Sequence, residues 1–344
     1  MATKSANINF YKLGFNFIET KAMFVSDYRD GKWDEGRLVP FGPIELSPAA
    51  CVLNYGQGIF EGMKAIRTKI GDIVLFRPIE NALRLNMSAD RLLMPQYNAM
   101  QFVENIKQVV KANEEYIPPY DSGGSLYIRP LMIGSGPLLG IAPATEYMLI
   151  IFVSPVGPYF HGGFMTIDME ISKKYVRAAP GGTGCVKTCS NYASTMKPMK
   201  ETKAKGFSQV IYLDSVKKEY IEEAGAANIF AVIDGKLATP KLTGTILPGI
   251  IRKSVLELAK KKLGMEIEER EISYRELYEP NCTEAFCTGT AAVITPIGSV
   301  TMEGTIKEFN NKAPGPITTE LYKLLIGIQY LEIEDDFGWV VKVE

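Results

Sequence analysis

The sequence predicts a mixed α+β (α/β) protein of two domains, on three observations. Its 344 residues suffice for two separate hydrophobic interiors. Short runs of β-branched and aromatic residues alternate with stretches whose apolar residues recur at helical spacing. The composition shifts at 155–163, a stretch of prolines, glycines and aromatics that reads as a domain boundary.

Along the first half, 22–27 and 73–76 read as strands, and 54–67 starts with small residues and continues as a mixed apolar run. Residues 79–93 and 100–113 have amphipathic helical spacing, and 125–133 and 147–153 are strands. Between those strands, 134–143 is rich in glycine and proline and predicts a mobile surface loop. In the second half, 210–213 and 229–233 are strands. Asp234-Gly235 forms a two-residue hairpin turn, and 237–239 returns. Helices follow over 249–263 and 318–330, with no internal repeat and no low-complexity tract.

Composition narrows the function. A net charge of −1 with no basic block argues against a nucleic-acid partner. The longest apolar run, 147–153, is too short to cross a membrane, and the amino terminus lacks a signal layout. An odd number of cysteines then points to the cytosol. A single histidine, His161, and five scattered cysteines make no metal cluster and no histidine-based triad. Proton chemistry falls to lysine, tyrosine or a cofactor.

Three stretches suggest which. In Pro180-Gly181-Gly182-Thr183-Gly184-Cys185-Val186-Lys187-Thr188-Cys189, one lysine sits in a glycine-rich turn, with no acid between Glu170 and Glu201. Desolvation there lowers a lysine pKa and exposes a nucleophilic amine. Leu247-Pro248-Gly249-Ile250-Ile251 opens a helix whose unpaired amides make an anion site. Ile221-Glu222-Glu223-Ala224-Gly225 places two carboxylates on an extended segment, facing opposite ways, before small residues that admit a flat ligand. An amine for an aldehyde, amides for a phosphate and an acid for a ring nitrogen together indicate pyridoxal 5′-phosphate.

Eight blocks in order, including YGQGIFEGMKAIR, FRPIENALRLNM, SLYIRPLMIGSGPLLGI, GGTGCVKTCSNYA, EEAGAAN, ILPGIIR and TGTAAVITP, resemble the branched-chain amino acid aminotransferases, in their longer eukaryotic-type subgroup. The remaining block is PVGPYFHGG at 155–163. The resemblance runs from about Phe24 to the carboxyl terminus. It implies the two-domain fold type IV of pyridoxal-phosphate enzymes, similar to D-amino acid aminotransferase, with the cofactor at the domain interface. The domains expected are a smaller one at 1–158, an interdomain segment at 159–176, and a larger one at 177–344 carrying the Schiff-base lysine.

By that resemblance Lys187 is the Schiff-base and proton-shuttling residue. Tyr192 would bond the cofactor's phenolic oxygen, and Glu223 rather than Glu222 its ring nitrogen. Arg84, the amides of Ile250 and Ile251, and Thr290 would hold the phosphate. Phe60, Tyr127 and Tyr159 would line the side-chain pocket, with Arg129 for the distal carboxylate of glutamate and the amides of Ala291 and Ala292 for the α-carboxylate. Tyr55, Leu139 and Ile141 would reach in from the partner of a homodimer. The substrates implied are L-leucine, L-isoleucine, L-valine, their 2-oxo acids and glutamate/2-oxoglutarate, exchanged by a ping-pong route in the cytoplasm. Shorter relatives of the same fold, the D-amino acid aminotransferases and aminodeoxychorismate lyases, lack the Tyr127-x-Arg129 pair. The chain departs from family pattern at Ile251 and Ala226, where threonine is common. Ala292 and Thr295 replace a Cys-x-x-Cys redox pair, so no such switch is expected.

Overall fold

The computed structural model describes residues 8–157 and 164–344, in two compact units. The first opens with β1 (Ala22–Arg29), which turns at Asp30-Gly31, both at positive φ, into β2 (Lys32–Trp33) and β3 (Arg37–Pro40). Then come α1 (Cys51–Tyr55), β4 (Gly58–Phe60), β5 (Met63–Arg67), β6 (Ile73–Phe76), α2 (Pro78–Arg91), α3 (Ala99–Ala112), β7 (Ser125–Gly134) and β8 (Tyr147–Val156). Proline at the first position of α2 is already set for a helix, and the Asn98 side chain caps α3 by accepting from the amides of Met100 and Gln101. Their apolar faces, with Leu85 and Ala89 on α2 and Phe102, Ile106 and Val109 on α3, share one core with Leu126, Ile128 and Met132 of β7. Full burial of each large side chain there contributes roughly 1.5–3 kcal/mol.

Strand β7 alternates. Ile128, Pro130 and Met132 are buried, whereas Tyr127, Arg129 and Leu131 are half-buried on the opposite face. This period of two puts Tyr127 and Arg129 side by side. The loop at 135–146 leaves Leu139 and Ile141 each 92% exposed.

The second unit contains β9 (Ile167–Ser172), all but the first residue of α4 (Cys189–Ala193), α5 (Met196–Ala204), β10 (Gln209–Leu213), β11 (Ile221–Ala224), β12 (Ala227–Ile233), β13 (Lys236–Pro240), α6 (Ile250–Lys262), β14 (Ile267–Arg270), β15 (Cys282–Gly289), β16 (Val293–Met302), β17 (Thr305–Glu308) and most of α7 (Pro316–Gln329). Its sheet runs β11-β10-β9-β16-β15-β12-β13-β14, and β11 also pairs with β12, so the first six strands of that path close on themselves. The Asp234-Gly235 turn has both residues at positive φ, as a two-residue hairpin requires. After α7 the chain returns to the first unit, where β18 (Val340–Lys342) adds to β6. The first sheet reads β18-β6-β5-β7-β8-β1-β2, with β3 on β1 and β4 on β7.

The division departs from the expected one in three places. Residues 167–172, expected between domains, are strand β9 in the middle of the second sheet, where parallel neighbours pair on both sides. Residues 328–344, expected in the carboxyl-terminal domain, belong to the first unit. So do 186–189, which carry Lys187. Backbone hydrogen bonding draws them there.

Candidate active site

In the first unit, Lys187 is held by its backbone. Its carbonyl accepts from the Phe60 amide at 3.0 Å, its amide donates to Ser88 Oγ at 3.0 Å, and Thr188 Oγ1 donates to the Gly58 carbonyl at 2.9 Å. Residues 187–188 thus lie along the short strand β4, against the carboxyl-terminal half of α2. The Lys187 ammonium stands 4.8 Å from the centroid of the Phe60 ring, and the Arg129 guanidinium stands 4.8 Å from it too. Arg129 Nη2 donates to the Tyr127 hydroxyl at 3.2 Å, while its buried Nε has no partner among the described residues. Gly62 makes room for this pair, since a Cβ on it would come within 2.2 Å of the Tyr127 hydroxyl.

Arg84 is fixed by Glu61, which is fully buried. Nε donates to Oε1 at 2.8 Å and Nη2 to Oε2 at 2.7 Å, and Asn81 Nδ2 adds a bond to Oε2 at 2.8 Å. The fork commits two of the five guanidinium donors to Glu61. Burial is the main force on Lys187, and with Arg84 and Arg129 nearby it pulls the amine down to about 8, against the pull of Glu61 and Tyr127. Lys64, on β5 opposite Tyr127, is drawn down to about 8 by burial alone. What sets Lys187 apart is its setting among Phe60, Arg84 and Arg129.

In the second unit, Glu223 is the centre of a strapped loop. Its Oε2 lies 2.6 Å from Arg177 Nη1 and accepts from the Leu247 amide at 3.3 Å. The same Arg177 nitrogen donates to the carbonyls of Gly184 and Thr245, each at 3.1 Å, and Asn228 Nδ2 donates to the Leu247 carbonyl at 2.9 Å. Two glycines are obligatory in this packing. A Cβ on Gly184 would meet the Thr245 carbonyl at 2.2 Å, and one on Gly249 would meet Asn228 Oδ1 at 2.0 Å. These ties set the start of α6, where Gly249 is the N-cap and no side chain caps the helix. The amides of Ile250 and Ile251 lie in its first turn.

Thr290, Ala291 and Ala292 form the turn between β15 and β16. Two residues earlier, the Oγ1 of Thr288 is buried without a hydrogen-bond partner among the described residues. Tyr192 is half-buried on α4. Glu222 and Glu223, alternating along β11, are both buried. Tyr55, at the end of α1, donates its hydroxyl to the Leu139 carbonyl, so Tyr55 and the 135–146 loop form one surface. Tyr159 and His161 lie outside the described residues. The structure therefore brings Lys187, Phe60, Arg84, Tyr127 and Arg129 together in one unit, and Glu223 with the start of α6 in the other. Sequence reasoning missed Glu61, Ser88 and Arg177. Glu61 lies inside the quoted YGQGIFEGMKAIR block, and Arg177 is a lone cation before two alanines, but neither carries a local sign of its partner.

The chain is similar to known proteins over nearly its whole length. The family model described as amino-transferase class IV matches residues 58–300, and the chain belongs to that family. A chloroplastic branched-chain-amino-acid aminotransferase of Arabidopsis thaliana is 46% identical over 342 residues, covering 99% of this chain and 81% of that one. A branched-chain-amino-acid aminotransferase of Bacillus subtilis is 42% identical over 347 residues, 99% of this chain and 95% of that one. The solved branched-chain amino acid aminotransferase of Escherichia coli superposes with a TM-score of 0.81 at 29% identity, over 95% of this chain and 100% of that one. Within its class the chain is thus an enzyme of the branched-chain-amino-acid aminotransferase type, with the fold type IV architecture expected from the sequence.

Proposed function

We propose that the protein transfers the amino group between L-leucine, L-isoleucine or L-valine and 2-oxoglutarate with pyridoxal 5′-phosphate, by a ping-pong route. The observation that carries this reading is the Lys187 amine, drawn down to about 8 beside Phe60 and the Arg84–Glu61 pair. An amine so lowered is unprotonated in a useful fraction near neutral pH. The remaining residues fit the cofactor's chemistry. The α6 start has no side-chain cap, and Thr288 keeps a hydroxyl without a partner among the described residues.

When bound, the cofactor supplies an aldehyde for the amino group and a ring that takes up the electron pair left at the substrate Cα. Lys187 Nζ would hold the cofactor through its aldehyde and, once free, would move the proton taken from the substrate Cα. Glu223, its carboxylate anchored by Arg177, would hold a proton at the ring nitrogen. Tyr192 would donate to the phenolic oxygen. Arg84, the amides of Ile250 and Ile251, and Thr290 would hold the phosphate, as a helix start does. Phe60 and Tyr127 give an apolar wall with a polar rim, which accepts aliphatic chains of similar size. Arg129, whose Nε–H has no partner among the described residues, would meet the distal carboxylate of glutamate, and the amides of Ala291 and Ala292 would meet the α-carboxylate.

The same reading makes the enzyme a homodimer, in which Tyr55 and the exposed Leu139 and Ile141 are covered by, and reach toward, the partner's site. All five cysteines are free, which suits the reducing cytosol. The described residues include no helix long and apolar enough to cross a membrane. The test is an absorbance spectrum of the cofactor-loaded protein before and after L-leucine. A reversible change, restored by 2-oxoglutarate and absent in Lys187→Ala, is the expected result. A cofactor band indifferent to L-leucine defeats the substrate assignment, and normal turnover by Lys187→Ala defeats the role of the lysine.

A further inference from the structure

Glu222 is the acid of the adjacent pair that transamination does not use. It lies on β11, where neighbouring side chains project to opposite faces. Glu223 meets Arg177, whereas Glu222 lines a cavity of about 300 Å³ that lies wholly within the second unit. Glu222 is only 7% exposed. Thr245 Oγ1 donates to its Oε1 at 2.5 Å, but its Oε2 has no hydrogen-bond partner among the described residues. A buried carboxylate oxygen left unsatisfied costs on the order of 1–3 kcal/mol or more, so its retention calls for a compensating contact. Burial pushes the Glu222 carboxyl up, and the Thr245 hydroxyl only partly offsets that.

Of the other charged groups around the cavity, Lys217 holds its ammonium 5.0 Å from the centre of the Tyr220 ring, and the rest are already engaged. Asp214 accepts four backbone amides, from Val216 and Lys217 on Oδ2 and from Glu219 and Tyr220 on Oδ1. Arg270 is bonded to Glu268 and Glu276, and Lys241 stands 3.5 Å from Glu271. Much of the remaining wall is apolar, with Val216, Tyr220 and Ile246 prominent. A volume at the low end of ligand sites excludes anything the size of a nucleotide cofactor. The cavity therefore suits one charged N–H on a short aliphatic body.

We propose that this cavity is a second binding site, separate from the transaminating one, that takes a small aliphatic ammonium ion on Glu222. Calorimetric titration of the cofactor-loaded enzyme with N,N-dimethylisobutylammonium tests it. That tertiary ammonium donates one N–H and cannot condense with an aldehyde, so the transamination chemistry leaves it intact. Saturable binding is expected, weakened tenfold or more by Glu222→Gln. Thr245 variants are avoided because the Thr245 carbonyl also holds Arg177. Should Glu222→Gln fold poorly, Val216→Trp at the exposed rim is expected to block the site equally. A crystal soaked in the probe should place its nitrogen within hydrogen-bond distance of Glu222. No saturable binding by the unmodified enzyme, unchanged affinity in both variants, or only water in the soaked cavity overturns the proposal.

Discussion

Replacing Lys187 by methionine should stabilise the cofactor-free protein while destroying the site. The fold holds the amine at about 8 against 10.5 for the ordinary side chain, so below pH 8 the native state carries a desolvated charge that the unfolded chain hydrates freely. That drop, at about 1.4 kcal/mol per pH unit, sets the cost at about 3 kcal/mol. The cation's position 4.8 Å from the Phe60 ring centre returns about 1 kcal/mol. Methionine keeps most of the aliphatic stem, so the net gain at pH 7 is about 2 kcal/mol. The sign of the pH dependence follows from the protons bound. Between pH 8 and 10.5 the unfolded lysine keeps its proton while the native one has lost it, so the native protein gains stability as pH rises. The advantage of Lys187→Met must then shrink over that window, to below about 1 kcal/mol by pH 10. Urea unfolding of both proteins at pH 7 and pH 10 measures it. A variant less stable at pH 7, or one whose advantage persists unchanged at pH 10, would refute the claim that burial lowers this amine.

Other outcomes follow from the second unit and the cysteines. Glu223→Gln should lose most of the turnover rate and Glu222→Gln should keep it, and steady-state kinetics showing the reverse would put the wrong acid on the ring nitrogen. Arg177→Met leaves Glu223 buried without its cation and should destabilise the fold by about 3–5 kcal/mol in urea titration; a loss under about 1 kcal/mol would mean that the loop amides alone hold the carboxylate. Mild oxidant should cause no loss of activity that dithiothreitol restores. Burial pushes the Cys189 thiol up and away from the reactive thiolate, and a recoverable loss tracking a Cys185–Cys189 disulfide would contradict the expectation.

The elements legible in the sequence are those specified by neighbours along the chain. Helices α2 and α3 announce themselves by spacing and by Pro78 and Asn98, and the β12–β13 hairpin by Asp234-Gly235. Strand β9 carries a visible alternation, Ile167, Met169 and Ile171 buried against half-buried Asp168, Glu170 and Ser172. The proline- and glycine-rich stretch just before it hides this strand, because it reads as a linker. Strand β16 contains Pro296 and Gly298, and local rules demote such a run to an edge. It nonetheless pairs with both β15 and β9: Pro296 stands opposite Phe286 of β15, and pairing with β9 begins only at Ile297.

The site divides in the same way. Lys187, Glu223 and the α6 start can be named because each lies in a chemically odd local stretch. What positions them cannot. Lys187 joins the first unit through bonds to Phe60 and Ser88, far back in the chain, and nothing around 187 encodes them. The two acid–base pairs are of the same kind. Glu61 reaches Arg84 across 23 residues and holds its guanidinium in one plane, and Arg177 does the corresponding work for Glu223. A buried pair contributes little net stability over an apolar pair of equal volume, yet removing one member leaves the other charge stranded. Such pairs are therefore better understood as fixing direction than as supplying stability. Arg84 cannot swing out of its plane, and Glu223 is kept from turning away to water. The reasoning predicts where tolerance lies. Exchanging Glu61 for glutamine, which keeps one acceptor oxygen for Arg84 Nη2 and Asn81 but loses the other and the charge, should be milder than exchanging it for leucine, and the difference should appear in cofactor affinity.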